Sequence, residues 1–401
     1  MIQEVKAYIS ALINASYQQK VKANLSFSDK FNHLLTNKMF NHKYWFVDKP
    51  LLIDESGNPD YIGSAFYMIN SLQEFGDKDR DQFNRFKYTN SYQFKFSCSE
   101  ENLVDQYLRL FLKTEGVALA EPKSKVFISH DIDLINSSIQ QDSYYLFKQN
   151  DFALLFQHVF NFFIGKRAWR NIDKIMSIES LYDLKATYFW IAQNEFDKNA
   201  GIKNGDYKIN SIYVNNTLRE IANSENYENG LHKSSLSSTL NDEIAKFPIE
   251  EEISSNRYHY LKFNPEENYP KLSNSKVKVD CSLGFAEKIG FRNSFGLPFK
   301  PFDFDAKKSY DFLEIPLNVM DTTFWTYGDR DGKKMEENII SFFEANNKNA
   351  VVSLLWHNDK CSNMKYREFL KVFKNLMAYL YEIKIESCSS AELYEDYTKG
   401  Y

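Results

Sequence analysis

The chain has only four cysteines in 401 residues, Cys98, Cys281, Cys361 and Cys388, and no two form a C-x-x-C pair. That spacing argues against a structural zinc site and fits reduced thiols. An excess of positive charge is also missing. Lys and Arg total 49 against 54 Asp and Glu, a net charge of -5, so the chain lacks the electrostatic footprint of a nucleic-acid binder. Gly-rich phosphate loops are absent, which removes support for nucleotide binding, and no repeat of solenoid period is visible. No apolar run is long enough to span a bilayer. The most apolar stretch, Phe152 to Ile164, is roughly half the required length, is interrupted by Gln157, His158 and Asn161, and reads as a core helix or an interfacial patch. The amino terminus shows no basic start followed by an apolar core and a cleavage site, so a cytoplasmic location is the expectation.

What the chain does have is apolar and aromatic content, 43% and 16% of its residues, enough for a well-packed interior. Its organisation changes near residue 120. Residues 1–118 mix helical patterns (Gln3 to Tyr17, Ala65 to Phe75, Leu103 to Lys113) with aromatic strand candidates at Lys43 to Val47 and Tyr92 to Cys98, which predicts an α+β accessory domain. Residues 119–401 alternate short apolar strands with longer helical segments, one of them running from Tyr145 to Gly165. That alternation predicts a parallel α/β sheet or barrel.

In such folds the chemistry gathers at the carboxyl ends of the strands. Ser129-His-Asp-Ile-Asp133 closes the apolar run Val126 to Ile128; strand alternation places Asp131 and Asp133 on one face and turns His130 to the other. Two adjacent carboxylates repel unless a cation compensates, so the pair suits a metal ligand beside a general base. A helix cap is the plain alternative for one of them. His232 follows Asn229-Gly-Leu, Asp280 follows Val277-Lys-Val, and His357 follows Val351 to Trp356. With seven histidines in all, two at strand ends beside a carboxylate pair favour a site over scatter.

The order Ser-His-Asp-Ile-Asp, Lys185-Ala-Thr-Tyr-Phe-Trp190, Gly230-Leu-His232, Arg257-Tyr-His-Tyr260, Asp280-Cys-Ser-Leu-Gly-Phe285 and Leu354-Leu-Trp-His357 resembles the polysaccharide deacetylase family, carbohydrate esterase family 4, in the branch whose motifs read T-H-D-V-D and G-L-H. Upstream, Gly63 to Phe75 and Asp81 to Phe86 look like the amino-terminal domain of that branch. The resemblance implies a distorted (β/α) barrel and metal-dependent removal of acetyl groups from N-acetylated sugars in cell-surface polysaccharide metabolism. It implies Asp131 as catalytic base and Asp133 and His232 as ligands of a divalent metal ion, with zinc the first choice. It further implies Arg257 as the residue orienting the base, Asp280 as part of the fourth motif, His357 as the acid that protonates the leaving amine, and a backbone N–H near Tyr260 as an oxyanion donor.

The chain departs from the family pattern at two places. The family's second metal histidine falls at Leu236, which offers no donor, and His259, where the third motif usually carries proline, is the candidate replacement ligand. The fourth motif ends Leu283-Gly-Phe285 instead of Asp-Trp. A catalytically silent carbohydrate-binding or scaffolding protein is therefore the alternative reading. Trp325, Tyr327 and the run Phe295 to Phe304 could stack on sugar faces, although with 34 Phe, 26 Tyr and 5 Trp most aromatic side chains are expected in the core.

Overall fold

The computed structural model describes residues 1–401. The amino-terminal part is built from helices α1 (Ile2–Tyr17), α2 (Asp29–Thr36), α3 (His42–Trp45), α4 (Tyr61–Ile69), α5 (Tyr92–Phe96) and α6 (Leu103–Thr114). Its β-structure is slight: Leu52–Ile53 pairs antiparallel with Pro59–Asp60, and a single bridge joins Arg80 to Phe86. The aromatic segments expected as strands are the short helices α3 and α5. Side chains at their starts explain the difference, since Asn41 accepts from the Lys43 amide and Ser91 from the Phe94 amide. Burial of Trp45, Phe46 and Tyr92 against Tyr67 then outweighs aromatic strand preference.

From Lys125 onward, eight strands form one parallel sheet: β1 (Lys125–Ile132), β2 (Ala186–Trp190), β3 (Tyr227–Lys233), β4 (Ser255–Tyr258), β5 (Val279–Asp280), β6 (Leu313–Glu314), β7 (Val319–Met320) and β8 (Val351–Leu355). Their spatial order is β6-β5-β4-β3-β2-β1-β8-β7. This is the cyclic order of a (β/α) barrel left open between β6 and β7. A ninth short strand, Glu386–Ser387, pairs with the start of β1. Every residue of β1, β2 and β8 is buried, as parallel strands covered on both faces require.

The helix expected from Tyr145 to Gly165 is two helices, α7 (Ser138–Lys148) and α8 (Phe152–Phe163). Asn150 takes a left-handed φ of 57°, and Asp151 restarts the chain by accepting from the Leu154 amide. This hairpin is inserted between β1 and the crossover helix α9 (Ile172–Ser180). Helix α10 (Ile212–Ala222) occupies the range its periodicity predicts.

One apolar core runs from Val5 through Tyr397, joining the amino-terminal helices to the barrel. A fully buried ion pair crosses the same boundary. Arg292 gives Nε to Glu74 Oε1 at 2.8 Å and Nη2 to Oε2 at 2.6 Å. Such a pair adds little over a well-packed apolar substitute, but losing one partner strands a buried charge at a cost of about 3–5 kcal/mol. The aromatic run proposed for sugar stacking is largely interior, with Phe295, Phe299 and Phe302 buried, and Trp325 packs on Tyr366 and Phe369.

Candidate metal and catalytic site

Strand alternation places Ser129, Asp131 and Asp133 on one face of β1 and its exit, while His130 points away, donating Nδ1–H to the Trp356 carbonyl and pairing Nε2 with Glu179 Oε1, each at 2.7 Å. The exit from β1 is pinned. Asp206 accepts the main-chain N–H groups of Ile135, Asn136 and Ser137, which fixes the turn just beyond Asp133.

Asp133 is the hub. Its Oδ1 lies 3.2 Å from His232 Nε2 and 3.6 Å from His259 Nε2, and its Oδ2 lies 3.8 Å from His357 Nε2. His232, near the end of β3, donates Nδ1–H to the Arg257 carbonyl at 2.9 Å, which leaves Nε2 as its free ring nitrogen toward the carboxylates. His259 follows β4, with Nδ1 3.4 Å from Asn204 Oδ1. One donor atom from each of Asp133, His232 and His259 lies within 4.8 Å of the others. Asp133 Oδ1 is buried without a hydrogen-bond partner of good geometry. Orphaned buried oxygen plus two imidazole nitrogens is a donor set suited to a divalent transition metal.

Leu236 gives this set nothing, for a reason beyond its side chain. The segment after Lys233 runs through bends rather than a helix. Glu243 holds it there, accepting from Lys233 Nζ at 2.7 Å, the Ser234 amide at 3.0 Å and Ser238 Oγ at 2.7 Å. A residue four positions beyond His232 therefore does not rise on a shared helical face.

Asp131 is held by a buried arginine. Arg257 Nη1 donates to its Oδ1 at 2.9 Å and also to Ser129 Oγ, Nε donates to the Cys281 carbonyl, and the guanidinium lies over the Phe189 ring at 4.5 Å. The other oxygen, Oδ2, lies 3.5 Å from His232 Nε2. Asp280 is not brought into this group. Its hydrogen bonds go to Asn256 and Ser282, and it sits beside Glu314 on the neighbouring strand. Burial raises the Asp280 carboxyl to about 6.

Asp321, just past β7, is the residue of this group that the sequence reading misses. Its Oδ1 takes the His357 Nδ1 proton at 2.7 Å and its Oδ2 takes the His357 main-chain N–H at 2.7 Å. Its signal, a carboxylate after Val319-Met320, is faint because β7 is only two residues long.

The charges follow from this packing. Burial pushes the Asp133 carboxyl up, but His259 and His232 beside it hold it well below the usual carboxylate range. Burial lowers His259, keeping its ring neutral and able to donate a lone pair. For His357, burial opposes the charge, yet Asp321, Asp133 and Asp131 together raise it to about 9. At neutral pH His357 is an imidazolium with its Nε2 proton facing Asp133. A histidine whose folded value is raised contributes stability that is complete below the unfolded value near 6.5 and is lost as pH climbs through about 9. Asp321→Asn is expected to bring the His357 titration down by about one unit or more. Histidine-resolved NMR titration of the metal-free protein checks this, and an unshifted midpoint would remove Asp321 from the role.

The amino-terminal segment reaches the rim of the site. Phe83 stacks on Tyr260 at 4.8 Å with planes 9° apart, and Arg85 donates to the Tyr260 carbonyl at 3.1 Å and to the Tyr327 hydroxyl at 2.9 Å. Tyr260 and Leu261 both hold positive φ, 58° and 51°, which non-glycine residues keep only when their surroundings impose it. The clamp thus fixes the turn that carries His259. Alongside lies a polar cavity of about 640 Å³, bordered by His259, Ser235, Ser237, Asn268 and Lys271. A second cavity of about 410 Å³ adjoins it across Leu236 and Lys262, walled by Phe83 and Asn84.

A protein family described as a family of unknown function, DUF7033, matches residues 2–114. Among solved structures, the chain is similar to one described as a "putative polysaccharide deacetylase" from Mycobacterium smegmatis, with 11% identity, a TM-score of 0.42, and coverage of 70% of this chain and 92% of that one. No curated protein matches the chain.

Proposed function

We propose that this chain is a metal-dependent deacetylase of N-acetylated sugars. The observation that carries the reading is the convergence of His232, His259 and His357, from three different strand ends, within 3.8 Å of Asp133 at the exit of a fourth, with Asp131 3.5 Å from His232. Asp133, His232 and His259 would hold the cation, which when bound supplies Lewis acidity toward water and the acetyl carbonyl. Asp131, fixed by Arg257, accepts the proton of the attacking water. As the C–N bond breaks, the His357 imidazolium passes its Nε2 proton to the leaving nitrogen, giving acetate and a free amine, while Asp321 keeps the ring oriented. The adjoining polar cavities, with their serine, asparagine and lysine lining, suit a polyhydroxylated substrate.

The silent-protein reading is favoured by one feature, the missing donor at Leu236. Acetate release from a panel of N-acetylhexosamine oligosaccharides separates the two. The deacetylase reading expects release that a chelator stops and added divalent cation restores. Wild-type protein that retains the cation and releases no acetate from any of the panel would leave the silent reading in place.

A further inference from the structure

The chain leaves 19 large apolar side chains exposed, and seven of them lie between Tyr144 and Ile164. They are the outer surface of the α7–α8 hairpin. Phe152, Phe156, Phe160 and Phe163 recur at helical spacing along one face of α8, with Phe156 75% and Phe163 80% exposed, and Tyr144 and Phe147 extend the surface onto α7. Of the twelve residues of α8, only His158 is buried. A monomer rarely presents so continuous an aromatic surface to water without a use for it.

The charge around this face says what the use is. In a chain of net charge -5, residues 143–170 carry Lys148, Lys166, Arg167 and Arg170 against Asp151 alone. Asp151 is occupied as the cap of α8. Lys148 lies over the Tyr144 ring at 5.6 Å and Arg167 over the Phe162 ring at 3.4 Å, so the cations flank the aromatic rings. Phe and Leu on one side with Lys and Arg at the margin is the composition of a helix that lies in a bilayer interface. A second copy of the same face would set basic rim against basic rim, whereas an anionic lipid surface complements it. No helix here is long and apolar enough to cross a membrane, and none is needed for this mode of attachment.

We infer that the α7–α8 hairpin docks the protein on an anionic lipid bilayer, with the aromatic side chains entering the interface and the flanking basic residues Lys148, Lys166 and Arg167 meeting headgroups. The hairpin is inserted at the carboxyl end of β1, the strand that delivers Asp131 and Asp133, so attachment holds that end of the sheet toward the bilayer.

Vesicle flotation tests this with the full chain, using phosphatidylcholine vesicles with and without about a third phosphatidylglycerol. The wild type is expected to float with the anionic vesicles and much less with the neutral ones. The double substitution Phe156→Ser and Phe163→Ser should reduce partitioning by about 10-fold or more, and Lys166→Glu with Arg167→Glu by about 10-fold on anionic vesicles. These side chains are at the surface, and circular dichroism with a melting curve verifies that each variant is folded. Failure of the folded wild type to bind anionic vesicles, or binding untouched by both double substitutions, overturns the inference. A concentration-dependent dimer that the phenylalanine substitutions disperse, seen by sedimentation in the absence of vesicle binding, would assign the face to a second copy.

Discussion

Asp131→Asn is expected to lower acetate release by about 100-fold or more. The substitution keeps the shape of the side chain and leaves an amide oxygen where Arg257 Nη1 now finds Oδ1 at 2.9 Å, but it removes the proton acceptor. Cation content should hold at the wild-type level, because the three candidate ligands are other residues. Stability should fall by about 1–3 kcal/mol, since Arg257 is fully buried and loses the compensating charge of its partner. The protein should still fold: Ser129 Oγ and the Cys281 carbonyl retain the guanidinium. Rates are therefore compared well below the variant's melting temperature. A folded, cation-loaded variant that releases acetate at the wild-type rate would end the assignment of Asp131 as the base.

Loss of the cation is the second large effect expected. Asp133→Ala and His232→Ala should each weaken divalent-cation binding by about 100-fold or more, and His259→Ala by about 10- to 100-fold. His259 is the informative member. If the Leu236 position had been filled by a histidine, a replacement donor from the third motif would be superfluous; here it is one of three donors that converge. Titration calorimetry and elemental analysis of the purified variants measure the effect, and unchanged binding in all three would refute the site. The pH dependence has a definite sign. Burial opposes charge on His232, but Asp131 and Asp133 outweigh it and raise the ring above its ordinary value. A raised imidazole must lose its proton before it can ligate, so affinity should fall as pH drops through the neutral range.

The sequence makes part of this site legible because strand alternation is a rigid rule. Three positions on β1 suffice to say that Asp131 and Asp133 share a face and that His130 leaves it, and the hydrogen bonds of His130 with Glu179 and Trp356 agree. The longer strands β1, β2 and β8 fall where apolar runs stand in the sequence, while β3, Tyr-Glu-Asn-Gly-Leu-His-Lys, is marked only by its Gly230-Leu-His232. Of the two-residue strands, β5 and β6 fall inside the short apolar stretches Val277 to Asp280 and Phe312 to Pro316, whereas β7 carries too little pattern to locate, and Asp321 is hidden with it. Helix boundaries depend on single side chains rather than on periodicity, so the break at Asn150-Asp151 and the caps Asn41 and Ser91 are harder to read. The Phe83–Arg85 clamp is beyond any local rule, because Arg85 meets Tyr260 across 175 positions of sequence.

The Glu74–Arg292 pair also bears on how this molecule can have been inherited. Each charge lies in a different segment, both are shielded from water, and loss of either one while the other stays buried is costly. The two segments are thus bound into one hereditary unit at that point. With both segments in place, replacing Glu74 alone would leave Arg292 buried without its carboxylate, and replacing Arg292 alone would leave Glu74 only the more distant Arg80, 3.8 Å away. Positions 74 and 292 are therefore expected to change together in descendants that keep both segments.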